Sequence, residues 1–102
     1  MKEEEIYSIH AEACKMFSHK IRLQIIDHLR EGEKSVGELA EAMELRQPNI
    51  SQHLAKLREK NFVKTRKEGN SVYYSIANEK IFEAFDLMRE IIKEQLTDPF
   101  DI

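Results

Sequence analysis

The chain of 102 residues has one cysteine, Cys14, no tryptophan, three glycines and two prolines. A single thiol makes neither an internal disulfide nor a CxxC or four-cysteine zinc site, so disulfide scaffolds and self-contained zinc fingers are excluded. With so little glycine and proline and no low-complexity tract, there is little room for long linkers. No apolar run approaches the roughly 18 to 20 residues that cross a bilayer. The acidic start MKEEEIY lacks the basic-then-apolar order of a signal peptide. The expectation is a cytoplasmic protein without a membrane partner, folded over 1–102 as a single domain, because a chain this short supports one core. Nothing matches a nucleophile elbow, a phosphate loop, an HExxH helix or a paired-carboxylate cleft, so no enzyme is expected and no catalytic residue is assigned.

Net positive charge is missing as well: 16 lysines and arginines stand against 19 acids, giving −3. The distribution matters more than the sum. From Arg46 to Asn70 seven cations (Arg46, Lys56, Arg58, Lys60, Lys64, Arg66, Lys67) face two acids (Glu59, Glu68), a net +5 that leaves −8 for the remainder. A local basic patch of this kind suffices for phosphate binding, which follows local potential rather than overall pI.

The apolar pattern gives the elements. Ile6, Ile9, Ala13, Cys14 and Phe17 mark a first helix over 3–17, with Glu3, Glu4 and Glu5 favoured at its N-terminus by the helix dipole. Ile21, Ile25, Ile26 and Leu29 mark a second, ending at Gly32. Ser35-Val36-Gly37-Glu38 fits the capping box of a short third helix, 36–43. Pro48 sits in the first turn of a fourth, 48–60, whose inner stripe is Ile50, Leu54 and Leu57, with Asn49, Gln52, His53, Lys56 and Lys60 on the polar side. From Phe62 the period changes to alternation, and Gly69-Asn70 turns a hairpin over 62–77 with Arg66, Lys67 and Asn70 at its tip. Asn78 caps a last helix, 79–96, with Ile81, Phe82, Phe85, Met88, Ile91, Ile92 and Leu96 as its apolar stripe, and Pro99 forbids further helix. The expected fold is mainly α with a β-hairpin wing, a winged helix-turn-helix in the order α-α-α-α-β-β-α. The polar face of the fourth helix has the width and the amides to read a major groove.

The run SVGELAEAMELRQPNISQHLAKLREKNFVKTRKEGNSVYYSI resembles the core of the ArsR family of winged-helix repressors, and FSHKIRLQIIDHL resembles its second-helix motif, including Arg22. The resemblance covers roughly residues 16–88. It implies a sequence-specific DNA-binding transcriptional regulator, a homodimeric repressor, with Gln47, Asn49, Ser51, Gln52, His53 and Lys56 facing DNA and Lys64, Arg66, Lys67 and Asn70 in the wing. Glu44 stands where the family commonly has Gly, and Arg46 where it commonly has Ser before Gln-Pro. The family dimerises chiefly through its first and last helices. Ile6, Ile9, Phe17, Ile81, Phe85, Met88 and Ile92 are therefore the expected interface, being more apolar surface than one small chain can bury. Two-fold symmetry then implies an inverted-repeat operator in double-stranded DNA. A winged helix that binds protein and reads no DNA is the alternative.

The family's metal patterns are absent. SVGELAEA has no thiol where the third-helix site needs Cys-x-Cys, and residues 79–96 contain no histidine. His10 and Cys14, four apart on the first helix, keep a spacing at which zinc is sometimes shared, and two pairs across a dimer would supply four ligands. A lone cysteine on an apolar helix face is more often packing, so no cofactor and no metal site are expected, and no effector is named.

Overall fold

The computed structural model describes residues 1–96. Its elements are α1 (Glu3–Cys14), a 3-10 turn (Lys15–Phe17), α2 (Lys20–His28), a second 3-10 turn (Leu29–Glu31), β1 (Lys34–Ser35), α3 (Val36–Met43), α4 (Gln47–Glu59), β2 (Val63–Glu68), β3 (Ser71–Ile76) and α5 (Lys80–Gln95). The four helices before the hairpin, the hairpin and the last helix follow the expected order; α3 keeps its expected bounds, and ends elsewhere are displaced by up to four residues. Two expected long helices finish in 3-10 turns, the usual way a helix tightens at its end. The stop expected at Pro99 lies outside the described residues.

One element differs from the expected order. Lys34 and Ser35 form a third strand that pairs antiparallel with Tyr74 and Tyr73, so the sheet runs β1-β3-β2 rather than being a free hairpin. The hairpin closes between Glu68 and Ser71, and of its two turn residues only Gly69 takes a positive φ, 60°, the pattern of a type II′ turn.

The core forms where the inner stripes of α2, α3, α4 and α5 meet the sheet. Ile25, Ile26, Leu39, Ile50, Leu54 and Leu57 are completely buried, each contributing about 1.5 to 3 kcal/mol of transfer free energy. Around them lie Met16, Leu29, Val63, Ile76 and Phe85. α3 opens on the expected capping box: Glu38 N–H donates to Ser35 Oγ (3.1 Å) and Ser35 N–H to Glu38 Oε1 (2.9 Å). It closes at Glu44 in the left-handed region (φ 54°), with Leu45 N–H bonded back to Ala40 O, so this glutamate adopts the conformation usually given to glycine.

α1 has no buried residue. The described helices include none long and apolar enough to cross a membrane.

Candidate nucleic-acid interface

Ile50, Leu54 and Leu57 seat α4 on the core, and this fixes what the helix shows to solvent. Pro48 supplies a preset φ in its first turn, where no amide partner is needed. Arg46 occupies the N-cap without a side-chain bond to the helix, the local consequence of having no serine there. Gln47, Asn49, Ser51, Gln52 and Lys56 are exposed, so five of the six residues expected on the outer face lie open. Gln47 leans back: its Nε2 would sit 3.6 Å from a Cβ at Gly37, so its amide lies over α3.

His53, the sixth, is half-buried. Its ring lies against the His19 ring with centroids 4.3 Å apart, and Arg22 Nη1 approaches its Nδ1 at 3.4 Å. Burial is the main reason its pKa falls below the ordinary 6.5, and the positive fields of His19, Arg22 and Lys56 add to it.

The wing carries Lys64, Arg66, Lys67 and Asn70, all exposed. Arg66 is the least free of these. Its guanidinium bonds Glu33 through Nε (3.1 Å), pairs with Glu68 (3.0 Å) and lies over the Tyr73 ring at 5.0 Å. The two carboxylates drive its pKa further up. Glu33, beside β1, thus ties the wing to the body of the domain. No local sequence pattern shows this pairing, because the two residues are 33 apart in sequence. Arg58, which contributes to the +5 segment but was not expected to face DNA, is exposed on α4 as well.

The other set of expected residues divides by burial. Ile6, Ile9 and Met88 are 52%, 56% and 57% exposed, while Ile92, Phe17 and Ile81 are half-buried. Phe85 departs from the expectation: it is buried in the chain's own core, with Ile81 and Phe82 of the same helix packed against that core. Between α1 and α5 runs a groove of about 640 Å³, lined by His10, Cys14, Phe17, Phe85, Met88 and Ile92 among others. His10 and Cys14 both border it, and among the described residues no three His, Cys, Asp or Glu side chains gather in a metal-binding group. Arg30, in the turn after α2, pairs with Asp86 of α5 (3.1 Å) and with Asp27 (2.7 Å), its guanidinium over the rings of Phe82 and Phe85.

A buried-stripe helix with an open polar face, reached by a tight turn from a short helix and flanked by a three-stranded wing, defines a winged helix-turn-helix. The family model for the bacterial regulatory proteins of the arsR family matches residues 19–65. An uncharacterized HTH-type transcriptional regulator of Mycobacterium tuberculosis is 36% identical over 99 residues, spanning 96% of this chain and 87% of the relative. A transcriptional activator of Vibrio cholerae is 39% identical over 77 residues, 76% of this chain and 71% of its own. The homodimeric winged helix-turn-helix DNA-binding domain of a possible ArsR-family regulator from Mycobacterium bovis superposes with a TM-score of 0.84 at 30% identity, covering 93% of this chain and 88% of that one. The chain belongs to the arsR family of bacterial regulatory proteins.

Proposed function

We propose that the protein is a homodimeric, sequence-specific transcriptional regulator. In this reading α4 lies in the major groove, the β2-β3 wing lies on adjacent backbone, and the protein represses wherever its operator overlaps a promoter. One observation carries this: α4 buries its whole apolar stripe and leaves amide, hydroxyl and cationic side chains on its open face. A winged helix built to bind protein would show apolar groups there. Among the described residues the exposed large hydrophobics are Met1, Ile6, Tyr7, Ile9, Leu87, Met88, Ile91 and Leu96, on or beside α1 and α5.

Those residues are the support for the dimer. The chain exposes 7652 Å², well above the roughly 6,000 Å² expected of a monomer of its mass. Its radius of gyration is 15.1 Å, where a chain of this length usually has about 13 Å. A second copy laid along α1 and α5 would cover the groove and give two recognition helices for an inverted repeat. A DNA partner implies a cytoplasmic site of action, and the reading contains no catalytic step.

The test is fluorescence anisotropy of the protein with its own upstream duplex and with a scrambled one, across a salt series. Tighter binding to the upstream duplex is expected, weakening steeply as salt rises. Gln52→Ala should narrow the difference between the duplexes by about 1 to 3 kcal/mol. Equal affinity of the wild type for both duplexes, or binding to neither, would overturn the reading.

A further inference from the structure

Arg22 is the one buried charged side chain among the described residues, 8% exposed on α2. Its Nη2 donates to Lys15 O at 2.8 Å, in the 3-10 turn after α1, and its Nη1 points at His53 Nδ1 on α4, while its Nε has no partner. A guanidinium has donors only, so the ring nitrogen facing it must accept. The neutral His53 ring therefore carries its proton on Nε2. The same logic fixes the neighbouring ring, because the Ile21 amide donates to His19 Nδ1 at 3.1 Å. Both neutral imidazoles thus turn a lone pair toward the protein and keep an N–H on the far nitrogen, with the two rings in tilted contact at 46°.

From this geometry we infer that Arg22 is a positioning residue for DNA recognition: it fixes His53 as an Nε2–H hydrogen-bond donor at the edge of the recognition helix. The inference rests on the DNA reading above and names the chemistry His53 seeks, an acceptor such as a phosphate oxygen or the N7 or O6 of guanine. Asn49 and Gln52 can offer a donor or an acceptor by rotating their amides. His53 cannot, because moving its proton to Nδ1 would set an N–H against the guanidinium, and turning the ring over would set a C–H there and lose the acceptor. The same guanidinium holds the end of α1 through Lys15 O, so the donor's position is referred to the base of the helix proposed to dimerise.

Two measurements test this, one without DNA. Long-range proton–nitrogen NMR of histidine-labelled protein at neutral pH should show His53 with a bare Nδ1 and a protonated Nε2, and Arg22→Met should shift the ring toward a mixture of tautomers. A wild-type ring protonated on Nδ1, or already a mixture, would overturn the inference. The second measurement needs no change at the buried arginine, whose variants risk unfolding. Glutamine places its amide nitrogen near the position of Nε2, and asparagine places it near Nδ1. In anisotropy with the upstream duplex, His53→Gln should stay within about threefold of wild type and His53→Asn should weaken binding about tenfold or more. Equal losses in the two variants, or none in either, would remove the donor role while leaving the regulator reading intact. A wild type that cannot tell the duplexes apart would overturn the regulator reading and the donor role together, with the NMR result still deciding the tautomer.

Discussion

His53 shows at the scale of one residue how position on a helix and role at a surface part company. The sequence spacing set it among the polar residues of α4, and so it is, but at the margin where the helix meets α2. Arg22, which with His19 lies against its ring, is 31 residues away, a distance that no helical period reports. The open positions Asn49, Ser51, Gln52 and Lys56 were legible because they depend only on where the fully buried Ile50, Leu54 and Leu57 must point. The displaced titration of His53 has a consequence for stability. The unfolded chain takes up this proton near the ordinary 6.5, whereas the folded chain, with His19, Arg22 and Lys56 around the ring, does so only at lower pH. Stability from this group is complete above 6.5, falls as pH drops below it, and levels off once the folded ring is also protonated. Urea unfolding at about pH 7.5 and about pH 5.5 should therefore show a larger loss for wild type than for His53→Gln. Equal losses would mean that the ring titrates alike in both states.

At the scale of elements, the capping box of α3 is the clearest case of local sequence dictating local structure, since both of its bonds join residues three apart. Ser35→Ala should cost about 1 kcal/mol, read as a lower urea midpoint with an unchanged slope. A change within error would mean that the strand pairing of Ser35 with Tyr73 holds the helix start by itself. That pairing was beyond reach of the sequence. Two residues cannot show alternation, and their partners lie across α3, α4 and β2. Glu44 falls between these cases: the helix stop was readable from its surroundings, but a glutamate in a left-handed turn was not, because its backbone is set by the join of α3 to α4.

The whole molecule is flat, with extents of 44 × 44 × 22 Å and α1 standing clear of the core. Composition and length alone predicted apolar surface in excess of one chain's core, and the exposed Ile6, Ile9 and Met88 match that expectation. Phe85 does not, because a stripe read along one helix cannot say which part faces its own core and which a neighbour. A lysine in place of Met88, which is 57% exposed beside the groove, would bury a charge on association. Met88→Lys should give a monomer in sedimentation equilibrium and, with only one half-site engaged, lose at least about a hundredfold in operator affinity. A variant that remains dimeric would move the interface away from α5.

The ion pairs of Arg66 also change how the wing presents itself to a polyanion. With Glu33 and Glu68 at its guanidinium, this arginine already has two counter-charges from the protein, in exposed pairs that added salt weakens. Of the three cations on β2, Lys64 and Lys67 can exchange solution anions for phosphates directly, whereas Arg66 must first give up a carboxylate. In the proposed complex the wing meets DNA first through Lys64 and Lys67, while Arg66, paired with Glu33 beside β1, braces the wing against the body of the domain.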